Sequence, residues 1–539
     1  MKQLRTFKPQ HLAMSAWAYA TLAYRYDPLL DALAWAAIEG MDGFGEADQA
    51  PCQDLSLTFW AFATLGIVHF PLLAALARQA LKKLWQFDMQ NLANTAWSLA
   101  TLRWRNNPLL NAIADQVVRA GDVIGPQEIA NTAWAFAKLE MCDRPLFAAI
   151  STGAQARLSE FNAQEMSNSV WAFATLLVVD DPFLSAMATT AIHMLDEFDA
   201  QNVANTLWAL AGLVFSDHPL VPKLCSHVQK LWEECTLQEM ANIAWAIATM
   251  SLQTDPLLPS LHPHILRLTQ ESAQRAAVSD CVEQIQCVLV NVCAVAWSFT
   301  WMQVDTDLLG ELRNELLALG LSWDRRPVSP STPPTHMMTP PLFGKEGRPI
   351  VTGLFAGMCL VLKPPGWEVD SEGHSGLPGL SSFLLEALPD ERHSLLPAAA
   401  FGRGFVHRLD TPSSGLILVA TSLHGYCCLE WQMYTYKIER EYIIAGHGLV
   451  SPTCIRERIL DLPTAICSEH GRPAETRLKQ VASFVLADTV SLLAIQIHTG
   501  RRHQIRVHVQ SACPSVADHR YGLSPTILFY YLSSTKEEE

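Results

Sequence analysis

Three short strings in the last third of the chain gather residue types that could do chemistry. In Gly404–Ala420, GFVHRLDTPSSGLILVA, the side chains of His407, Arg408 and Asp410 sit on a short loop before a Ser413-Ser414-Gly415 turn that leads into an apolar strand. In Arg440–Gly448, REYIIAGHG, Tyr442 stands at a strand start. In Ile497–Val509, IHTGRRHQIRVHV, a strand ends in a Thr-Gly turn and a basic, helix-like segment follows with Arg501, Arg502, His503 and Arg506. A carboxylate in a closed pocket needs a cationic partner to stay ionised. Cationic groups at a helix start suit phosphate contacts.

Taken singly, each feature is ordinary. An Arg-x-Asp loop is usually a surface ion pair, and Tyr442 alone is a strand aromatic. His498, His503 and His508 are five apart, which does not put them on one helical face, so no metal site is expected. The Ser413-Ser414-Gly415 turn lacks the Gly-x-Ser-x-Gly elbow of a serine hydrolase.

The elements that must position these groups read as an α+β domain over 350–525. Met358–Lys363, Leu416–Val419, Tyr442–Ala445 and Leu492–His498 are strand candidates, and Lys363-Pro-Pro-Gly366 is a turn. A tail, 526–539, follows. Before the domain, 323–349 includes RRPVSPSTPPTHMMTPP, where proline density prevents helix or sheet and gives an extended tether.

Residues 8–322 repeat. Tryptophan recurs every 37 residues from Trp60 through Trp97, Trp134, Trp171 and Trp208 to Trp245, with Trp17 before them. A proline lies eleven after each and a glutamine seven before. Each unit reads as two helices, the first typified by Gln127–Leu139 and the second opening at the proline, where a missing N–H costs nothing. Such pairs cannot bury their apolar faces alone and must stack into an α-solenoid. A degenerate unit around Trp297 reads as its cap. Asn94, Asn131, Asn168, Asn205 and Asn242 sit three before the tryptophans, on the glutamine face. That row reads as a ladder of hydrogen bonds between repeats, since an invariant row cannot encode a varied sequence. Contact with bases is the other reading.

The strings resemble the RluA-type pseudouridine synthase family, to which KPPG at 363–366, RPAET at 472–476 and VADHRYG at 516–522 add weaker matches. The ANTAWAFA-like strings at 93–100, 130–137, 204–211 and 241–248 resemble octotricopeptide and heptatricopeptide repeats of organellar RNA-binding proteins. The fold class implied is an α-solenoid followed by an α+β pseudouridine synthase domain with a mixed, largely antiparallel sheet. The function implied is isomerisation of specific uridines in RNA (rRNA, tRNA or mRNA), with the array positioning the RNA. The reaction breaks an N-glycosidic bond and remakes it as C–C at the same sugar, so it needs no cofactor. The resemblance makes Asp410 the catalytic carboxylate, Arg506 its partner and Tyr442 a stacking group or base. It leaves His407, Arg408, Arg501, Arg502 and His503 to RNA. Ser413 replaces the usual threonine, Arg440 the usual lysine and Arg502 the usual threonine or serine. After Tyr521-Gly522 the family continues with a strand bearing Leu-His-Ala; the stretch here reads as truncated or diverged. The other readings are a catalytically silent RNA binder and a solenoid that scaffolds protein partners.

Composition bounds these readings. The net charge is −15, with 21 basic against 33 acidic residues up to 345 and 17 against 20 after it. That excludes a general electrostatic RNA sponge, so RNA contacts must be local. Thirteen cysteines without a Cys-x-x-Cys pair read as reduced thiols. The uncharged run Gln284–Val304 carries polar residues and falls in the repeat pattern, so it reads as a buried helix and no membrane is expected as a partner. The first ten residues are no secretory signal, and the repeats start so early that the N-terminus reads as incomplete. The repeat resemblance implies a plastid or mitochondrion, with cytoplasm or nucleus as the alternative.

Overall fold

The computed structural model describes residues 7–43, 51–252, 257–279, 281–304, 307–325, 347–369, 378–389, 395–411, 413–460, 466–467, 474–485, 489–497, 499–500 and 504–512. Most of the expected tether and all of the tail lie outside the described residues. The chain divides into two compact units, Met1–Leu231 and Trp232–Glu539.

The first unit is a stack of helix pairs. Its tryptophan-bearing helices are each 13 residues long: Pro9–Thr21, Cys52–Thr64, Met89–Thr101, Pro126–Lys138, Ala163–Thr175 and Ala200–Gly212. Both ends of each pair are chemically marked. Asp88, Asn162 and Asp199, nine before their tryptophans, cap the helix that carries them. His69, Asn106, Asp143 and Asp180, nine after, cap the next helix by accepting from a backbone N–H. Six residues past each tryptophan the chain turns left-handed to end the helix, at Gly66 but also at Arg103, Glu140, Leu177 and Val214. At Glu140 the following N–H, of Met141, returns to Phe136 O at 2.9 Å. A side chain in that conformation costs roughly 1–2 kcal/mol, partly offset by glycine's entropy when unfolded. Glu140→Gly is therefore expected to stabilise the array by about 0.5–1 kcal/mol in thermal or chemical melts. A lower melting temperature would mean Glu140 contributes more than its backbone costs.

A ladder between repeats exists, but not where the sequence pattern puts it. Ser56 donates to Asn91 Oδ1 at 2.6 Å and Ser167 to Asn202 Oδ1 at 2.7 Å, both pairs buried. Those asparagines lie six before their tryptophans. The repeated row three before it, Asn94, Asn131, Asn168 and Asn205 in this unit, is half-buried instead.

The second unit begins with the helices Leu237–Thr249, His262–Val278, Val282–Trp301 and Leu308–Asp324. Val282–Trp301 is long and apolar enough to span a membrane by length and composition; here Val288, Val292, Val295 and Phe299 are buried in the unit. The strands follow: β1 (Ile350–Phe355), β2 (Met358–Lys363), β3 (Gly415–Ala420), β4 (Arg440–His447), β5 (Thr453–Ile455), β6 (Ile459–Leu460), β7 (Ile466–Cys467), β8 (Thr476–Val485) and β9 (Thr489–Ile497). They form an antiparallel β1-β2-β3 sheet, an antiparallel β4-β9-β8-β5 sheet and a β6-β7 pair; among the described residues one parallel bridge joins Glu368 to Gly379. One core lies under β2 and β3 around Val361, Ile417 and Leu384, a second under β4, β8 and β9 around Leu493, Ile495 and Val509.

The degenerate last repeat does not end in solvent as a cap would. Leu308–Asp324 lies along the helix Leu423–Tyr434, so closely at Gly320 that a Cβ there would meet His424 Cα at 2.7 Å. The Asp324 carboxylate accepts from the N–H groups of Leu423 and His424, both at 2.9 Å, and so caps that helix. Trp297 Nε1 donates to Tyr436 Oη at 2.6 Å.

Glu430, on that helix, is bonded by Tyr426, and burial pushes its carboxyl up to about 7. A raised carboxyl contributes stability that is complete below its unfolded value and is lost as pH rises through about 7. His407, pushed down to about 4 by burial and then by Arg440, works oppositely over nearly the same window. The wild-type profile should therefore be shallow. The stability of Glu430→Gln relative to wild type is expected to rise by about 3 kcal/mol between pH 4.5 and 7.5 in urea melts. A constant difference would mean Glu430 is solvated.

Candidate active site

Lys363, the last residue of β2, is fully buried. Its ammonium donates to Ser413 O at 2.6 Å and to Pro364 O and Thr411 O at 3.1 Å. Gly366 N–H donates to the same Thr411 carbonyl at 2.9 Å, and Ser413 N–H closes a turn onto Asp410 O at 2.9 Å. Burial pushes the ammonium down while the Asp410 charge pushes it up. A buried cation thus gathers the carbonyls of the loop that presents Asp410.

The rest of the loop is fixed from below. Leu409 packs on the β2–β3 core, so the next side chain, Asp410, turns outward. His407 Nε2 accepts from Leu418 N–H at 2.9 Å, which ties the loop to β3 and leaves the ring proton on Nδ1. Gly404 has φ +81°, and a Cβ there would sit 2.1 Å from Ala420 O, so only glycine allows this approach. Arg408 is exposed.

The second side of the site is the helix Gln504–Ala512. Buried Gln504 donates to Glu475 O at 2.9 Å and Thr476 Oγ1 at 3.0 Å, and accepts from Thr499 Oγ1 at 2.8 Å. One turn on, His508 bonds Thr476 Oγ1 at 2.8 Å and Glu457 O at 2.9 Å. These anchors hold the helix on β8, and Arg506 between them meets Asp410, Nη2 to Oδ2, at 2.5 Å. Both side chains remain reachable, 26% and 42% exposed.

Tyr442, on β4, faces Ile495 across the ladder and joins the core that includes Ile505 and Val509. Burial pushes its phenol up, which favours the neutral form. Neighbouring Glu441 is exposed, on the opposite face. The Arg440 guanidinium lies against Gly500, where a Cβ would come within 2.7 Å of Nη1. Asp410 and Arg506 are thus brought together, with Tyr442 on the sheet beneath. Arg501, Arg502 and His503 lie outside the described residues.

Residues 358–511 match the family model described as RNA pseudouridylate synthase. The chain carries an RNA pseudouridylate synthase domain. Before this synthase domain, residues 4–140 and 52–288 match the model described as RNA-editing substrate-binding complex 6 protein. That match spans more than half the chain, which belongs to that family through its repeats. The synthase domain is similar to ribosomal large subunit pseudouridine synthase C of Haemophilus influenzae, 31% identical over 180 residues covering 31% of this chain and 52% of that protein. It is 33% identical to ribosomal large subunit pseudouridine synthase D of Neisseria meningitidis over 172 residues, 31% of this chain and 44% of that one. RNA pseudouridine synthase 2, chloroplastic, of Arabidopsis thaliana is 30% identical over 159 residues, 26% of this chain and 37% of that protein. The chain thus spans about half the length, or less, of these relatives.

The strings led to Asp410, Arg506 and Tyr442 but not to Lys363, Gln504 or His508 as parts of the synthase domain's site. The available signal for Lys363 was a lone cation closing an apolar run directly before Pro-Pro-Gly.

Proposed function

We propose that the chain isomerises specific uridines in RNA to pseudouridine, with Asp410 as the catalytic carboxylate, and that the repeat array positions the RNA. The observation that carries this reading is the Asp410–Arg506 pair, assembled from two strings 96 residues apart and held by separate anchors. In the reaction the N1–C1′ bond breaks, the base turns over and C5 bonds to C1′. The C5 proton leaves to solvent and N1 gains one. Asp410 helps detach the base, either by attacking the sugar or by taking a proton from it. Arg506 aims the carboxylate through their hydrogen bond. Tyr442, neutral under its burial, stacks on the turned-out base rather than acting as a base itself. Arg408, with Arg501, Arg502 and His503, holds phosphate. His407 acts as a positioning residue for the loop. A plastid or mitochondrial location goes with this reading, given a chloroplastic relative. The test is release of tritium to water from RNA labelled at uridine C5, incubated with the full chain; no release from any cellular RNA fraction would leave a silent RNA binder.

A further inference from the structure

The repeat tryptophans from Trp60 to Trp245 are half-buried and Trp17 is exposed, but Trp297 is buried. Its ring stacks on Trp301, centroids 5.8 Å apart and planes at 16°, and its Nε1 donates to Tyr436 Oη at 2.6 Å. Tyr436 follows the end of the helix Leu423–Tyr434 and has φ +55°. A non-glycine residue keeps that backbone only where its surroundings hold it. At the other end of the same helix the Asp324 carboxylate accepts from Leu423 N–H and His424 N–H. The last helix pair of the array therefore holds Leu423–Tyr434 at both ends.

That helix is the link between the two sheets that carry the site. It leaves β3, which holds the Asp410 loop through His407 and through the close approach of Gly404 to Ala420. It leads into β4, a member of the sheet whose β8 anchors the Arg506 helix through Thr476. A second latch grips the Arg506 side directly. Arg458 Nη2 donates to Thr249 O at 2.8 Å, at the end of the helix Leu237–Thr249, where carbonyls lack donors within the helix. Next to it, Glu457 O bonds His508 Nε2 at 2.9 Å, one residue pair beyond Arg506. Apolar packing alone tolerates small slips of one element on another. Directional bonds at three separate points define one arrangement.

We propose that the end of the array is a positioning element of the synthase site: Trp297 and Asp324 hold the helix Leu423–Tyr434, Arg458 holds the Arg506 side on Thr249, and together they fix Asp410 against Arg506. The proposal rests on the reading that Asp410 is the catalytic carboxylate, and it assigns the alignment of that carboxylate to residues of the repeats. Trp297, Asp324 and Arg458 are positioning residues, since each acts through an element that carries the site. A misplacement of about 1 Å at the reacting group is worth about 100-fold in rate, so small slips at the latches reach turnover.

The test uses the full chain and a cellular RNA fraction, labelled with tritium at uridine C5, that the unsubstituted chain turns over. Release is measured well below the melting temperature of every variant, across RNA concentrations. Trp297→Phe keeps an aromatic ring and removes the N–H; Tyr436→Phe removes the hydroxyl that accepts from it. Each should lower kcat about tenfold with KM within about twofold of wild type. The double variant should be no slower than either single one, because both lost groups belong to one bond. Asp324→Ala, which uncaps the helix, should lower kcat about 30-fold, again with KM held. If that variant does not fold, the two phenylalanine variants decide. Wild-type kcat in variants that merely melt earlier overturns the proposal, because the latches then serve the fold alone. A raised KM with kcat unchanged overturns it too, since the residues would then act on RNA binding. No release by the unsubstituted chain from any fraction removes the underlying reading and this proposal with it.

Discussion

Asp410→Asn is expected to lower pseudouridine formation on the order of 10⁴-fold or more, below detection in the tritium-release assay. The amide matches the carboxylate in size and can still accept from Arg506 through its oxygen. The loop turn survives as well, since Ser413 N–H bonds the backbone oxygen of residue 410 rather than its side chain. What is lost is the negative charge and with it the ability to attack C1′ or take a proton from the sugar. No other carboxylate in the matched strings can substitute, because Glu441 is exposed on the face of β4 opposite Tyr442. RNA binding should persist and tighten slightly, as a carboxylate repels phosphate. Near-normal turnover by this variant would remove the proposed chemistry, whatever the family.

The repeat architecture was legible because a 37-residue period marks every helix pair with the same tryptophan and proline. Self-similarity, however, finds surfaces as readily as cores. The repeated Asn–Trp row turned out half-exposed, while the buried Ser–Asn bonds occur at only some junctions, 56 to 91 and 167 to 202, and so leave no period to read. The last repeat read as a cap because its proline is replaced by Leu308; that it lies on the helix Leu423–Tyr434 depends on Gly320 and Asp324, which no local pattern singles out. At the site, Asp410 and Arg506 are 96 residues apart, and their pairing followed from resemblance rather than spacing. Gln504 was not singled out, and His508 was weighed only as a metal ligand, because their partners lie on β8 and its approaches, visible only once the helix is docked.

Lys363→Met is expected to cut kcat about 100-fold with little change in KM, and to cost about 2–4 kcal/mol of stability. Methionine fills the buried space of the lysine stem but donates nothing. Ser413 O and Pro364 O then lose their ammonium partner, whereas Thr411 O keeps the Gly366 N–H. Part of that loss is recovered because a buried charge no longer has to be desolvated, which is why the figure stays below the cost of orphaning two acceptors outright. The loop from 410 to 413 then relaxes on its Lys363 side while Arg506 still holds the carboxylate end. A shift of about 1 Å in the reacting group is enough for a 100-fold loss. Under the proposed function substrate binding rests on Arg408, Arg501, Arg502, His503 and the array rather than on Lys363, so KM should hold. The decisive measurement is kcat well below the melting temperature, where the folded fraction is complete. A variant that melts earlier yet turns over at the wild-type rate in the cold would show that Lys363 supports the fold alone and that the loop positions Asp410 without it.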